Sequence, residues 1–158
     1  MSVTVKRVGT RALIVDLPDL QTVMDFYAAL SATPLPRQTD VVAAARTVLV
    51  TFDSPTATTN AIDVLANYSP DTAAVGSPRD IEIDVRYDGE DVEALAASLG
   101  MSPAELIDWH TSTTWVAAFG GFAPGFTYCV PEDASRALEV PRRDSPRTAV
   151  PAGAVALA

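Results

Sequence analysis

One cysteine and one histidine are all that this chain of 158 residues holds of the two residue types most used to bind transition metals. Cys129 alone closes no internal disulfide, and its place between Tyr128 and Val130 predicts a buried apolar side chain rather than a nucleophile. His110 has no second histidine and no cysteine pair beside it, and the carboxylates show no ligand-like spacing, so no metal site is expected. Positive charge is also scarce. From Tyr87 to Ser135 there is no lysine or arginine, and the formal net charge is −9. That balance argues against a nucleic-acid binder, because phosphate backbones draw basic surfaces. The start, Met1 to Lys6, lacks the apolar core of a signal peptide, and no apolar run is long enough to cross a bilayer, so a soluble, cytoplasmic protein is expected. Internal repeats and low-complexity tracts are missing as well.

What the chain does have is 48% hydrophobic residues, enough for one mid-sized or two small cores. Val3 to Val8, a Gly9-Thr10 turn and Ala12 to Asp16 read as an opening hairpin. Asp19 caps a helix whose Leu20, Val23, Met24 and Tyr27 form one apolar stripe. Val41 to Ala45 and Thr47 to Phe52 are β-rich, and Ser54-Pro55 starts a helix that buries Ile62, Leu65 and Ala66. Breakers crowd the stretch from Asn67 to Pro78, the best linker. Ile81, Ile83 and Val85 then alternate with Glu82 and Asp84 as in a half-buried strand. Taken with that strand, the first part follows the split βαβ order of a ferredoxin-like sheet. A helix with Val92, Leu95, Ala96 and Leu99 on one face stops at Gly100, and Ser102-Pro103-Ala104-Glu105 is a capping box opening the next. Beyond His110 the residues turn β-like, first over Thr113 to Phe119 and then, with strands expected, over Val140 to Leu157.

Four stretches invite chemistry. Paired helices around Gly100 suggest a helix-turn-helix, but the second carries Glu105 and Asp108 and no basic residue, which speaks against DNA. His110, at a helix end, could serve as acid, base or hydrogen-bond donor to an anion, although residue type alone favours a helix-terminal cap. The run Gly120-Gly121-Phe122-Ala123-Pro124-Gly125-Phe126-Thr127-Tyr128 is not a phosphate-binding P-loop, since no lysine follows it. Its glycines can bring backbone amides close to a ligand and its aromatics can wall a pocket; equally, it is a glycine-rich turn whose aromatics pack inside a barrel. Arg136, Arg142, Arg143 and Arg147, partly offset by Glu139 and Asp144, make a net-basic stretch, able to draw an anion or simply to lie solvated.

In order, the Gly121-Phe122-x-Pro124-Gly125-Phe126-x-Tyr128 loop and the run from Pro141-Arg142 through Pro146-Arg147 to Val150-Pro151-Ala152-Gly153, after His110, resemble the family of the 5-oxoprolinase B subunit (PxpB), also known as allophanate hydrolase subunit 1 or KipI-like. The resemblance covers nearly the whole chain. It implies an α+β protein: a ferredoxin-like domain over residues 1–77 and a cyclophilin-like β-barrel domain over 78–158. The barrel is expected to be truncated, because the chain stops at Ala158 where the family continues with further strands. It further implies a protein that works with subunits C and A in ATP-dependent opening of the 5-oxoproline lactam to glutamate, with ATP and Mg2+ used by the complex. His110 and Arg147 would be the catalytic residues, and Gly121, Phe122, Pro124, Gly125, Phe126, Tyr128 and Arg142 would contact substrate. Two other activities accompany the family: protein-binding inhibition of a histidine kinase, as in KipI-like members, and processing of allophanate. Thr127 and Cys129 depart from the family's usual residues.

Overall fold

A left-handed Gly9 turns strand β1 (Thr4–Val8) back onto β2 (Ala12–Asp16), so the chain opens with a hairpin as the sequence predicts. The computed structural model describes residues 3–70, 79–141 and 143–157. It forms two compact units, Met1–Ile81 with Ala117–Cys129 and Glu82–Val116 with Val130–Ala158.

In the first unit, the Asp19 carboxylate accepts the Thr22 amide at 2.8 Å and starts helix α1 (Leu20–Ala32). Strands β3 (Gln38–Ala43) and β4 (Thr47–Phe52) follow, then helix α2 (Pro55–Ala66), capped by Ser54 with Pro55 in the first turn. The antiparallel four-stranded sheet has the order β1-β2-β4-β3. Alternation along β2 and β4 sends Leu13 and Val15, then Val48, Val50 and Phe52, to one face, where Leu13 sits opposite Val50 and Val15 opposite Val48. Val23, Phe26 and Leu30 of α1 and Ala57, Ala61 and Leu65 of α2 close the same core.

Several expectations need correction. The buried stripe of α1 is Val23, Phe26, Ala29 and Leu30, while Tyr27 is exposed and Met24 half-buried. The i, i+3, i+7 set from Val23 includes the largest ring, and burying Phe26 outweighs burying Tyr27, whose hydroxyl favours water. In α2 Ile62 is only half-buried and Ala66 is exposed, the seats going to Ala57, Thr58 and Ala61. Ile81 to Val85 is not a strand: Ile81 and Ile83 are 73% and 74% exposed. Alternation describes a strand only when a sheet edge is there to pair with, and the seat beside β2 is already held by β1. The linker residues 71–78 lie outside the described residues.

The second unit contains helices α3 (Val92–Ser98) and α4 (Pro103–Thr111). Gly100, at φ +71, ends α3: its amide reaches the Ala97 carbonyl at 3.1 Å and the Met101 amide the Ala96 carbonyl at 2.9 Å, a Schellman closure. Two residues on, the Ser102 hydroxyl accepts the Glu105 amide at 3.3 Å and the Glu105 carboxylate accepts the Ser102 amide at 2.7 Å. Ser102→Ala is expected to cost about 1 kcal/mol, read as a lower urea midpoint at unchanged m-value; an unmoved midpoint would mean water replaces the cap. Strands β5 (Trp115–Gly120) and β6 (Thr127–Pro131) form a two-stranded ribbon, followed by a single 3-10 turn at Ala134–Arg136. Among the described residues there is no closed barrel, and none of those from Val140 to Leu157 forms a strand. That stretch has a proline or glycine at positions 141, 146, 151 and 153, which removes ladder donors and breaks any extended run. Cys129, expected to be buried, is exposed on β6.

Candidate functional site

His110 stands in the last turn of α4, where an aromatic cage fixes its ring. Tyr87 Oη and His110 Nδ1 are hydrogen-bonded at 2.6 Å, with the two rings edge-on at 5.8 Å. The Trp115 ring lies 5.1 Å from the imidazole and its indole N–H donates to the His110 carbonyl at 3.1 Å, satisfying an acceptor that the helix end leaves free. Trp109 stands 6.1 Å from the imidazole and edge-on to Trp115 at 5.5 Å. Burial pushes the imidazole pKa below its ordinary value and the Tyr87 phenol above its own, so both partners are neutral near pH 7. Polar, half-buried and uncharged, the pair can offer a hydrogen bond to a substrate oxygen without attracting bulk counterions.

The arginines have partners too. Arg136 donates to Thr113 Oγ1 at 2.8 Å, to the Trp109 carbonyl at 2.9 Å and to Ser112 Oγ at 2.8 Å. It thus caps the carboxyl end of α4, where a cation is favoured; the Trp109 indole in turn donates to the Arg136 carbonyl at 3.0 Å. Arg147 pairs with Glu90 and donates to Asp91 Oδ2 at 2.6 Å, and Arg143 pairs with the other oxygen of Asp91. The hydrogen bond from Arg147, reinforced by Arg143, holds the Asp91 carboxyl below the usual carboxylate range. An anion reaching Arg147 would have to displace a carboxylate already in place. Arg142 lies outside the described residues.

The remaining predicted residues cluster at the tip of the β5–β6 ribbon. The Ala123 amide reaches the Gly121 carbonyl at 2.7 Å with Phe122 between them at φ +63, a γ-turn in its strained form. Next, the Phe126 amide reaches the Ala123 carbonyl at 3.0 Å, with Pro124 and then Gly125 at φ +79 in the centre, as a type II turn demands. At Gly121 a Cβ would sit 3.5 Å from the Tyr128 ring, an ordinary contact, so closeness alone does not demand glycine there. Phe119 stacks on Tyr128 at 4.7 Å, Tyr128 meets Phe126 at 5.0 Å and Phe126 meets Phe122 at 5.6 Å. The ladder is not packed inside a barrel; Phe122 at its end is 91% exposed. At its base, Phe119 and Gly120 line a shallow groove of about 180 Å³ with Tyr27 and Val41 to Ala43.

Thus Gly121 to Tyr128 form one cluster, His110 belongs to a cage with Tyr87, Trp109 and Trp115, and Arg147 is tied to Glu90 and Asp91. Sequence reasoning missed Tyr87, Trp109 and Trp115 as partners of His110. Two tryptophans within five residues of the only histidine were the available sign. Among the described residues, no group of three or more histidine, cysteine or acidic side chains could hold a metal, and no helix is long and apolar enough to cross a membrane.

Over residues 3–158 the chain matches the carboxyltransferase domain, subdomain C and D, and belongs to that family. Within it, the resemblance to the B subunit of 5-oxoprolinase stands: the chain is 42% identical over 83 residues to the protein so named from Bacillus subtilis (strain 168), across 51% of this chain and 34% of the relative. The protein of the same name from Escherichia coli O157:H7 is 42% identical over 84 residues, 50% of this chain and 37% of the relative. Each match therefore spans about a third of the relative's length. Among solved structures, the crystal structure of TTHA0988 superposes with a TM-score of 0.70 at 29% identity, covering 94% of this chain and 31% of that one.

Proposed function

We propose that this chain is part of one component of an ATP-dependent 5-oxoprolinase, which opens the 5-oxoproline lactam to glutamate together with subunits of the C and A types. The observation that carries the reading is the family match over residues 3–158 joined to relatives named as the 5-oxoprolinase B subunit. The chemistry is consistent with the caged histidine. A five-membered lactam is a poor electrophile; phosphorylation of its amide oxygen by MgATP held in the complex would supply a leaving group, and the charge on the phosphoryl oxygens during transfer would call for a hydrogen-bond donor in a part-dry setting. His110 is that donor. The exposed aromatic ladder from Phe122 to Tyr128, with Gly121, Pro124 and Gly125 shaping its turn, belongs to the first unit and is by itself a candidate surface for substrate contact. Arg147 and Arg142 are the candidates for its carboxylate, Arg147 by exchange with Asp91.

In this reading residues 1–77 are a ferredoxin-like domain with its edge strand taken from the amino-terminal side. Residues 78–158 are a portion of a cyclophilin-like barrel domain, and the assembly is cytoplasmic. The test is 5-oxoproline-dependent ATP hydrolysis by the reconstituted subunits. Leaving this one out is expected to abolish the response. An intact complex that ignores 5-oxoproline, or that responds equally without this chain, overturns the reading and favours a regulatory protein-binding role.

A further inference from the structure

We propose that Tyr87 is a positioning residue: its hydroxyl donates to His110 Nδ1 and fixes the imidazole as the Nε2–H tautomer, so that His110 meets a substrate oxygen as a hydrogen-bond donor and not as a general base. The inference rests on the proposed placement of His110 at the site, but its first half concerns this chain alone.

The geometry argues for the direction of the bond. At 2.6 Å the contact is shorter than bonds donated by N–H groups and falls in the range of hydroxyl donors. A phenol is the more acidic partner and an imidazole nitrogen the better acceptor, so O–H···N is the favoured arrangement of the two neutral groups. Among the described residues the Tyr87 hydroxyl has only this hydrogen-bond partner; were Nδ1–H the donor, the phenol proton would be left without an acceptor in the protein. An imidazole nitrogen that accepts at Nδ1 must carry its proton at Nε2. The cage keeps it there: Trp115 holds the backbone of residue 110 through its carbonyl and, with Trp109, flanks the ring. No carboxylate is hydrogen-bonded to the imidazole among the described residues, and the groups against it are Tyr87 from the 82–89 segment, Trp115 from β5 and Trp109 from its own helix. The imidazole therefore has no hydrogen-bonded carboxylate of the kind that supports the imidazolium of a general-base histidine.

His110 is the only histidine, so nitrogen NMR of the chain labelled with 15N-histidine reads it without assignment. At a pH where the ring is neutral, Nδ1 is expected at a pyridine-type shift and Nε2 at a pyrrole-type shift, with one tautomer dominating. In Tyr87→Phe the two shifts are expected to move together toward a tautomer average while the amide spectrum stays dispersed. A protonated Nδ1 in the unaltered chain, or a preference unmoved by Tyr87→Phe, overturns the positioning role. Should Tyr87→Phe fail to fold, the unaltered chain still decides the tautomer, and Trp115→Phe, which keeps Tyr87, is expected to keep it.

The donor role is read in the reconstituted complex. His110→Gln retains an N–H donor but has no basic nitrogen, and is expected to keep at least tenfold more kcat than His110→Ala. Equal loss in both overturns the donor assignment, and a complex indifferent to both variants overturns the placement of His110 at the site while the tautomer result stands.

Discussion

On the proposed function, replacing His110 with alanine is expected to lower kcat for 5-oxoproline in the assembled complex by about 10²-fold, with a smaller change in KM, the magnitude typical of deleting one donor to a developing charge on oxygen. The loss should fall on kcat because the donor meets its partner fully only in the transition state, when charge builds on the phosphoryl oxygens. On that reading binding of the intact substrate relies more on contacts to its carboxylate, so KM is expected to move less. The fold should survive the change, because the Trp115 indole bonds to the backbone carbonyl of residue 110 and the Ser102 box that starts α4 lies two turns away. Steady-state kinetics with subunits at saturating concentration checks it. Normal turnover in a complex that depends on this chain would remove His110 from the chemistry and leave it as a helix-terminal residue.

Phe26→Ala costs about 3–5 kcal/mol of stability, the range for emptying a buried aromatic site. Phe26 is fully buried beneath the sheet and meets the Tyr68 ring edge-on at 4.9 Å, so its loss opens a cavity and removes an aromatic pair at once. Its neighbour supplies the control. Tyr27→Ala, at an exposed position one residue along the same helix, should stay within about 1 kcal/mol. Urea unfolding of both variants tests which face of α1 meets the core. Similar costs at the two positions would mean that the helix is rotated by about one residue from the arrangement described.

Much of the fold is legible in the sequence because it depends on short-range chemistry. The Gly9 hairpin, the Asp19 and Ser54 caps, the Gly100 stop and the Ser102-Glu105 box are each settled by residues within four positions of one another, and each forms where the sequence places it. The elements that the sequence misplaces need knowledge of partners. The alternation at Ile81 to Val85 is indistinguishable from that of a paired strand until the sheet order shows that its seat is taken. The α1 stripe reads one position off because Phe26 and Tyr27 are adjacent aromatics, and the hydropathy pattern does not separate them.

The site divides along the same line. The turn chemistry of Pro124-Gly125 is visible in the sequence, and so is the isolation of His110 as the only imidazole. Its pairing with Tyr87, 23 residues away, is not, nor is the use of Arg136 as a helix cap or of Arg143 and Arg147 as clamps on Asp91. Charge counting over Arg136 to Thr148 considers only local carboxylates, whereas the acids that neutralise Arg143 and Arg147 sit just ahead of α3.

The seat beside β2, held by β1, also bears on how the molecule is made. All four strands of the sheet and the two helices that cover it lie between Thr4 and Ala66, and the edge pairing is the shortest-range one in the sheet. Had the edge strand come after α2, its pairing with β2 would have required closing a loop of some sixty residues. As it is, a nascent chain holds every strand of the sheet by the time Ala66 has left the ribosome, and the sheet can start from a local hairpin, leaving the β2–β4 pairing, Ala12 with Thr51 to Asp16 with Thr47, as its long-range step.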